Sequence, residues 1–380
     1  MEIIKWSGWA IWPRLRQAEY LSKSIRTPQL IPQSRNLDLR KILSRYPARY
    51  QVGAAPAAPR VFQQAAGGFS GARIWRVETA AGSYALRSTQ ASAVDVTRLA
   101  GLHRLVAHVA AAGVTQAPVP VTTLDGTTFF ESDGQVWQFE PWMPGAADYS
   151  KHSTAARLEA AMICLARWHL AAARFQPRDS ERVWFFAEQS GRSPGLAERA
   201  SEIVRRNGRE CDVLRRRLAA STWKEFADLG TRILDHFRRL SPRIDLQLKL
   251  GLDAVVPLQP CLRDVWHDHV LFTGDEVTGL IDPHAARTDS VATDLARLLG
   301  SLEGDDRAAW ETGLAAYQTV RPLALAELAL VELFDQSAVL LGGMTWLDWH
   351  CLEGRTFDDR AKVLARLQTI LGRLEVLAAK

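Results

Sequence analysis

The chain has 380 residues, 47% of them hydrophobic and 23% charged, an ordinary globular composition with enough length for one large domain or two lobes. Its net charge of +5 is lopsided: residues 1–50 hold ten Lys or Arg against three acids, so the rest of the chain sums to −2, and the basic balance is poor evidence for a nucleic-acid-binding body. No apolar run reaches the length of a membrane span, the start MEIIKWSGWAIWPRLR lacks the pattern of a signal peptide, and Cys164, Cys211, Cys261 and Cys351 lack metal-ligand spacing and read as idle thiols of a reducing, cytoplasmic compartment.

Residues 1–50 read as a basic N-terminal extension with a short helix near 37–46, capped by Asn36 and stopped by Pro47. Trp6, Trp9 and Trp12 beside Arg14 and Arg16 offer at most a weak membrane or partner contact, and a loose tail explains them as well. QVGAAPAAP (51–59) is a linker by composition. Residues 60–145 then read as a small lobe: three short strands up to Ser88, a helix over about 92–112, and three more strands in APVPVTTL, GTTFFESD and QVWQFEPW. From 146 to 380 helix dominates, over 155–174, 196–219, 222–240, 305–319, 322–342 and 357–379, with one β-rich island at 255–286. The expectation is an α+β, bilobal layout: a small antiparallel sheet lobe with one helix, and a larger, mostly helical lobe.

The island carries the chemistry. In CLRDVWHDHVLF followed by GDEVTGLIDPH, Arg263 and Asp264 precede one strand, a Gly-Asp turn links it to a second, and the second ends at Asp282. Such a hairpin brings two carboxylates to neighbouring strand ends. Phosphoryl transfer uses such a pair, one for the acceptor hydroxyl and the other for the metal that bridges the phosphates.

In these motifs the chain resembles the protein-kinase-like superfamily, most closely its aminoglycoside phosphotransferase branch, which writes its catalytic loop H-G-D-x-x-x-x-N. Here Leu262 stands for the leading His and His269 for the Asn, while Ile281-Asp282-Pro283 matches the second motif and DSVATDLARLL the D-x-x-x-D-L-A segment. The resemblance covers roughly residues 60–345. It implies a kinase with ATP and Mg²⁺ (or Mn²⁺) as cofactors, bound between the lobes. Asp264, with Arg263 beside it, would be catalytic, Asp282 would hold the metal, and Asp294 would brace the loop. His269 would contact the metal or only pack. Gly67, Gly68 and Ser70 would cover the phosphates, Arg87 would anchor them, and the backbone near Glu140 and Trp142 would read the adenine. Trp346, Asp348 and Trp349 fall where the branch closes over its acceptor, although core packing explains the Trp pair equally well.

The implied activity is transfer of the γ-phosphate to a hydroxyl of a small molecule: a sugar, an amino alcohol or an aminoglycoside-like compound. The alternative is a catalytically weak or inactive kinase-fold nucleotide-binding module, suggested by His269. Each acid also has a bland reading as a turn cap, and the Arg205–Arg217 basic run reads as a solvated face. Acceptor identity and oligomeric state are not legible in the residues.

Overall fold

Two hydrophobic spacings, alternating in the first third of the chain and helical afterwards, build two compact units. The computed structural model describes residues 39–51, 63–64, 72–357 and 359–380. Asn36, Gly67, Gly68, Ser70 and the three leader Trp residues lie outside them. The first unit holds the described residues up to Asp95 together with Pro120–Pro141, and the second holds Val96–Val119 and Trp142–Lys380.

The first unit is a five-stranded antiparallel sheet in the order β1-β2-β3-β5-β4. Its strands are β1 (Gln63–Gln64), β2 (Arg73–Thr79), β3 (Gly82–Gln90), β4 (Phe129–Ser132) and β5 (Gln135–Pro141). Asp133 and Gly134, at φ +53° and +70°, close the β4–β5 hairpin with the two left-handed residues that a tight turn requires. Alternation divides the sheet into two faces. Trp75, Val77, Leu86, Trp137 and Phe139 pack against Leu39, Ile42 and Leu43 of helix α1 (Leu39–Leu43) and against Tyr46. The part of the supposed extension that is described is therefore core of this sheet. Residues 117–124, expected as a strand, stay outside the ladder. Pro118 and Pro120 supply no amide, and Val121 makes a single bond to the Phe139 carbonyl (2.7 Å).

The second unit takes in helix α2 (Val96–Ala111), which the chain pattern had grouped with the sheet. Arg104 of α2 pairs with the buried Glu181. Helix α3 (Ala155–Ala172) follows, N-capped by Thr154. Strand β6 (Glu188–Arg192) was not anticipated; it joins β7 (Val255–Cys261) and β10 (Arg287–Asp289) in a sheet of order β10-β7-β6. The helix expected over 196–219 is two, α4 (Pro194–Arg206) and α5 (Arg209–Ala219), broken where Gly208 turns to φ +78°. Helix α6 (Lys224–Gly251) passes through Pro242 instead of stopping at 240. Its stripe Ile233, Phe237, Leu240, Ile244 and Leu248 is buried on both sides of the proline, and that burial outweighs one lost backbone bond. The hairpin β8 (Val270–Thr273) and β9 (Glu276–Leu280), then α7 (Ala292–Leu302), α8 (Arg307–Gln318), α9 (Leu325–Leu347) and α10 (Arg360–Ala379), complete the unit. No described helix is long and apolar enough to cross a membrane. Cys164, Cys211 and Cys261 are buried and Cys351 half-buried, all as free thiols.

Candidate active site

Strand β7 ends at Cys261, and the next three residues leave it along one face of α7. Asp294, Arg297 and Ser301 are three and then four positions apart, so they share that face. The fully buried Asp294 accepts the backbone amides of Leu262 (2.7 Å) and Arg263 (2.6 Å), one on each oxygen. Arg297 donates through Nε (3.2 Å) and Nη2 (2.9 Å) to Oδ1 of Asp264. Ser301 Oγ accepts the amide of His267 (3.0 Å). One helix thus reads successive residues of the loop in order. Asp294 is itself held from α3, where His169 Nε2 lies 3.0 Å from its Oδ2 and Nδ1 lies 2.7 Å from the Tyr317 hydroxyl. A carboxylate only accepts, so Nε2 carries the proton and the tyrosine donates to Nδ1. Burial lowers the pKa of His169 and keeps the ring neutral. His169, Cys261 and Asp294 form the one His/Cys/acid cluster of metal-binding spacing among the described residues, but these hydrogen bonds already engage both Asp294 oxygens and both His169 nitrogens.

His269 lies between the backbone of Asp264 and the carboxylate of Asp282. Its Nδ1 lies 2.8 Å from the Asp264 carbonyl and its Nε2 3.7 Å from Asp282 Oδ2. The Ile281 amide bonds the His269 carbonyl (2.9 Å), which registers the two strand ends. Asp282 Oδ1 lies 2.9 Å from His284 Nδ1. Asp264 is about half exposed. Among the described non-glycine residues only Asp133, Arg263 and Asp282 have positive φ. Asp133 belongs to a hairpin turn. Of the other two, at +63° and +59°, Arg263 directly precedes Asp264 and Asp282 is itself the second acid, and strain of order 1–3 kcal/mol per residue collects at functional sites.

Arg263 turns its side chain away from this pair. It forms an ion pair with Glu198, and its Nε lies 3.5 Å from Asp289, whose carboxyl burial pushes up. Val183, Trp184, Glu198, Arg263 and Arg287 line a small cavity there of about 60 Å³. The Arg263 side chain, expected beside Asp264 in catalysis, is engaged by Glu198 and Asp289 instead.

His269 does not fit direct metal contact in this arrangement. Trp266 Nε1 donates to its Nε2 (2.8 Å), and Nδ1 is turned to the Asp264 carbonyl, so both nitrogens are occupied. Asp348 does not fit direct contact with an acceptor: it is 1% exposed and lies 2.7 Å from Arg206 inside the helical unit. Trp346 and Trp349 are half-buried and meet edge to face at 5.2 Å. In the sheet, Arg87 and Glu140 are both buried. Arg87 pairs with Gln138, and Ala85 with Glu140, which puts all four on the face opposite α1. Glu140 is diagonal to Arg87, within reach of a long side chain. Trp142 is the first residue beyond β5. Sequence reasoning missed Glu198, Asp289 and Arg297. The i, i+3, i+7 spacing of Asp294, Arg297 and Ser301 was the available signal for the last of these.

Residues 61–331 match the Phosphotransferase enzyme family. Among curated proteins, the chain is 28% identical over 255 residues to a homoserine kinase of Brucella anthropi, covering 64% of this chain and 67% of that one. It is 44% identical over 92 residues to a homoserine kinase of Methylobacterium nodulans, covering 23% of this chain and only 29% of the relative's length. Among solved structures, an aminoglycoside phosphotransferase from Alicyclobacillus acidocaldarius superposes with TM-score 0.56 at 17% identity, covering 88% of this chain and 90% of the other. A microcompartment-associated aminopropanol kinase superposes with TM-score 0.58 at 15% identity, covering 90% and 95%. At these identities the likeness is one of fold.

Proposed function

Because the chain belongs to the Phosphotransferase enzyme family, we propose that it transfers the γ-phosphate of ATP to the hydroxyl of a small amino alcohol of the homoserine type. The observation that carries this reading is Asp264. Arg297 takes only its Oδ1, and Oδ2 has no hydrogen-bond partner among the described residues. An acceptor-only oxygen held in place and left accessible is what a hydroxyl must meet to be oriented and to give up its proton. The homoserine kinases among the relatives support the acceptor class.

The Asp282 carboxylate suits a divalent cation: it is a hard oxygen ligand, partly exposed, and lies 3.7 Å from the imidazole that holds the Asp264 carbonyl. When bound, that cation would neutralise charge on the phosphates. In the sheet, Arg87 anchors the phosphates, supported by the buried Glu140 on the same face, and the backbone at Glu140 and Trp142 takes the adenine edge. Gly67, Gly68 and Ser70 cover the phosphates by resemblance. Positioning and charge neutralisation supply the rate.

The test is a panel of L-homoserine, 1-amino-2-propanol, ethanolamine, choline, sugars and an aminoglycoside, with ATP and either Mg²⁺ or Mn²⁺, read as phosphomonoester formation. Turnover should be highest on an amino alcohol. Metal-independent nucleotide binding with no transfer to any acceptor would replace this reading with that of a nucleotide-binding module.

A further inference from the structure

We propose that Trp266 is the hub of a clamp that holds Asp264 in working geometry, with Arg297 gripping its carboxylate and His269 its carbonyl. This rests on the reading of Asp264 as the group that meets the acceptor, and it assigns three positioning residues.

The first arm is the carboxylate. Both Arg297 bonds converge on Oδ1, so the carboxylate cannot rotate without losing two charge-assisted contacts, and Oδ2 keeps a fixed direction. The guanidinium is located in turn by the indole. The Cζ of Arg297 lies 5.8 Å from the Trp266 ring centre, and the Cζ of Arg366, from α10, lies 5.5 Å from the same ring. The two cations repel each other, and the electron-rich ring face, together with the negative charge of Asp268 and Asp264, offsets the repulsion. The second arm is the backbone. An indole N–H is only a donor, so the Trp266 bond to His269 Nε2 requires that nitrogen to carry the lone pair. The ring proton therefore sits on Nδ1 and is donated to the Asp264 carbonyl. One side chain, by its face and its edge, controls both contacts to the same aspartate. The residue in the position of the expected metal-binding Asn thus serves the loop, and the cation is left to carboxylate oxygen.

Four variants separate the arms. Trp266→Phe keeps a ring for Arg297 and deletes the N–H. Arg297→Ala deletes the carboxylate grip, Arg297→Lys keeps a charge without the fork, and His269→Gln removes the imidazole. Each should lower kcat by roughly 10- to 100-fold through misplacement of Asp264, with KM for nucleotide and acceptor changed less than about threefold. Guanidinium chloride should restore part of the activity of Arg297→Ala and none of that of Trp266→Phe. Two readouts do not need turnover. Histidine ¹⁵N shifts, assigned by loss of a signal in His269→Gln, should show the Nδ1–H form in the wild type and a tautomer mixture in Trp266→Phe. Mn²⁺ affinity, followed by electron paramagnetic resonance, should survive His269→Gln and fall in Asp282→Asn. A His269→Gln protein that no longer binds Mn²⁺, or an Nε2–H tautomer in the wild type, would overturn the clamp even if no acceptor were ever found. Normal kcat in both Arg297 variants of an active enzyme would overturn it as well. Absence of transfer by a wild type with the expected tautomer would instead count against the function and leave the clamp supported.

Discussion

Asp264 and Asp294 are the same residue type 30 positions apart in the chain, and their surroundings give them opposite tasks. Asp294 is sealed from water and spends both oxygens on two amides and His169, whereas Asp264 keeps one oxygen without a hydrogen-bond partner among the described residues. The neutral His169 ties this arrangement to pH. Burial lowers its pKa below the ordinary 6.5, so the folded state binds fewer protons than the unfolded chain at and just below that value. Stability from the neutral ring is therefore full above about pH 6.5 and is lost as pH falls through the depressed value. Thermal denaturation of the wild type should show its midpoint dropping from pH 7 to pH 5, with a shallower slope in His169→Gln; equal slopes would remove His169 from the explanation. Arg263 makes a second case. Its φ of +63° suits glycine, yet Asp289 is buried beside its guanidinium. Arg263→Gly should relieve roughly 1 kcal/mol of backbone strain and leave a buried carboxylate without its cation, at a cost of about 3–5 kcal/mol. A net fall in melting temperature is expected, and a rise would show that the ion pair contributes little.

Helix α7 acts as a unit because three polar residues on one face address three successive parts of the loop. Asp294→Asn keeps the shape but turns an N–H₂ toward a backbone amide, leaving buried donors opposed. The loss should be about 3 kcal/mol, read by denaturant unfolding, and transfer should collapse with the loop geometry. Part of this site was legible beforehand: the two acids eighteen positions apart and the strand–turn–strand between them follow from local spacing, whereas Asp294 came from the resemblance alone and its helix α7 falls in none of the expected helices. What was not legible depended on tertiary choices. No periodicity shows that the indole of Trp266 occupies the nitrogen of His269, or that Asp348 is swallowed by Arg206. The same holds for whole elements. Pro242 reads locally as a stop, and only the continuing buried stripe to Leu248 overrules it. Asn207-Gly208 reads as helix interior until Gly208 adopts a positive φ. Pro118 and Pro120 interrupt a run whose composition otherwise suits a strand.

At the scale of the molecule, Arg87 and Glu140 lie in the first unit and Asp264 and Asp282 in the second, and the core of the first makes a prediction of its own. Tyr46 and Leu43 are fully buried against the sheet. A chain begun at residue 51 lacks this cover and should be less stable than one begun at residue 37. Leu43→Ala should cost about 2–5 kcal/mol, and equal stability of the two truncated chains would contradict this placement. Ligand linkage offers a global readout. ATP with Mg²⁺ at one hundred times its dissociation constant should stabilise the protein by about 2.7 kcal/mol, with the metal's share lost in Asp282→Asn.

Whether Oδ2 of Asp264 serves the acceptor is read most directly by rapid-quench single turnover on ATP, Mg²⁺ and the best acceptor of the panel, which isolates that step from product release. A phosphate-transfer rate that falls by roughly 10²-fold or more in Asp264→Asn, with nucleotide affinity unchanged, is the predicted result. An Asp264→Asn protein that transfers phosphate at the wild-type rate would contradict it.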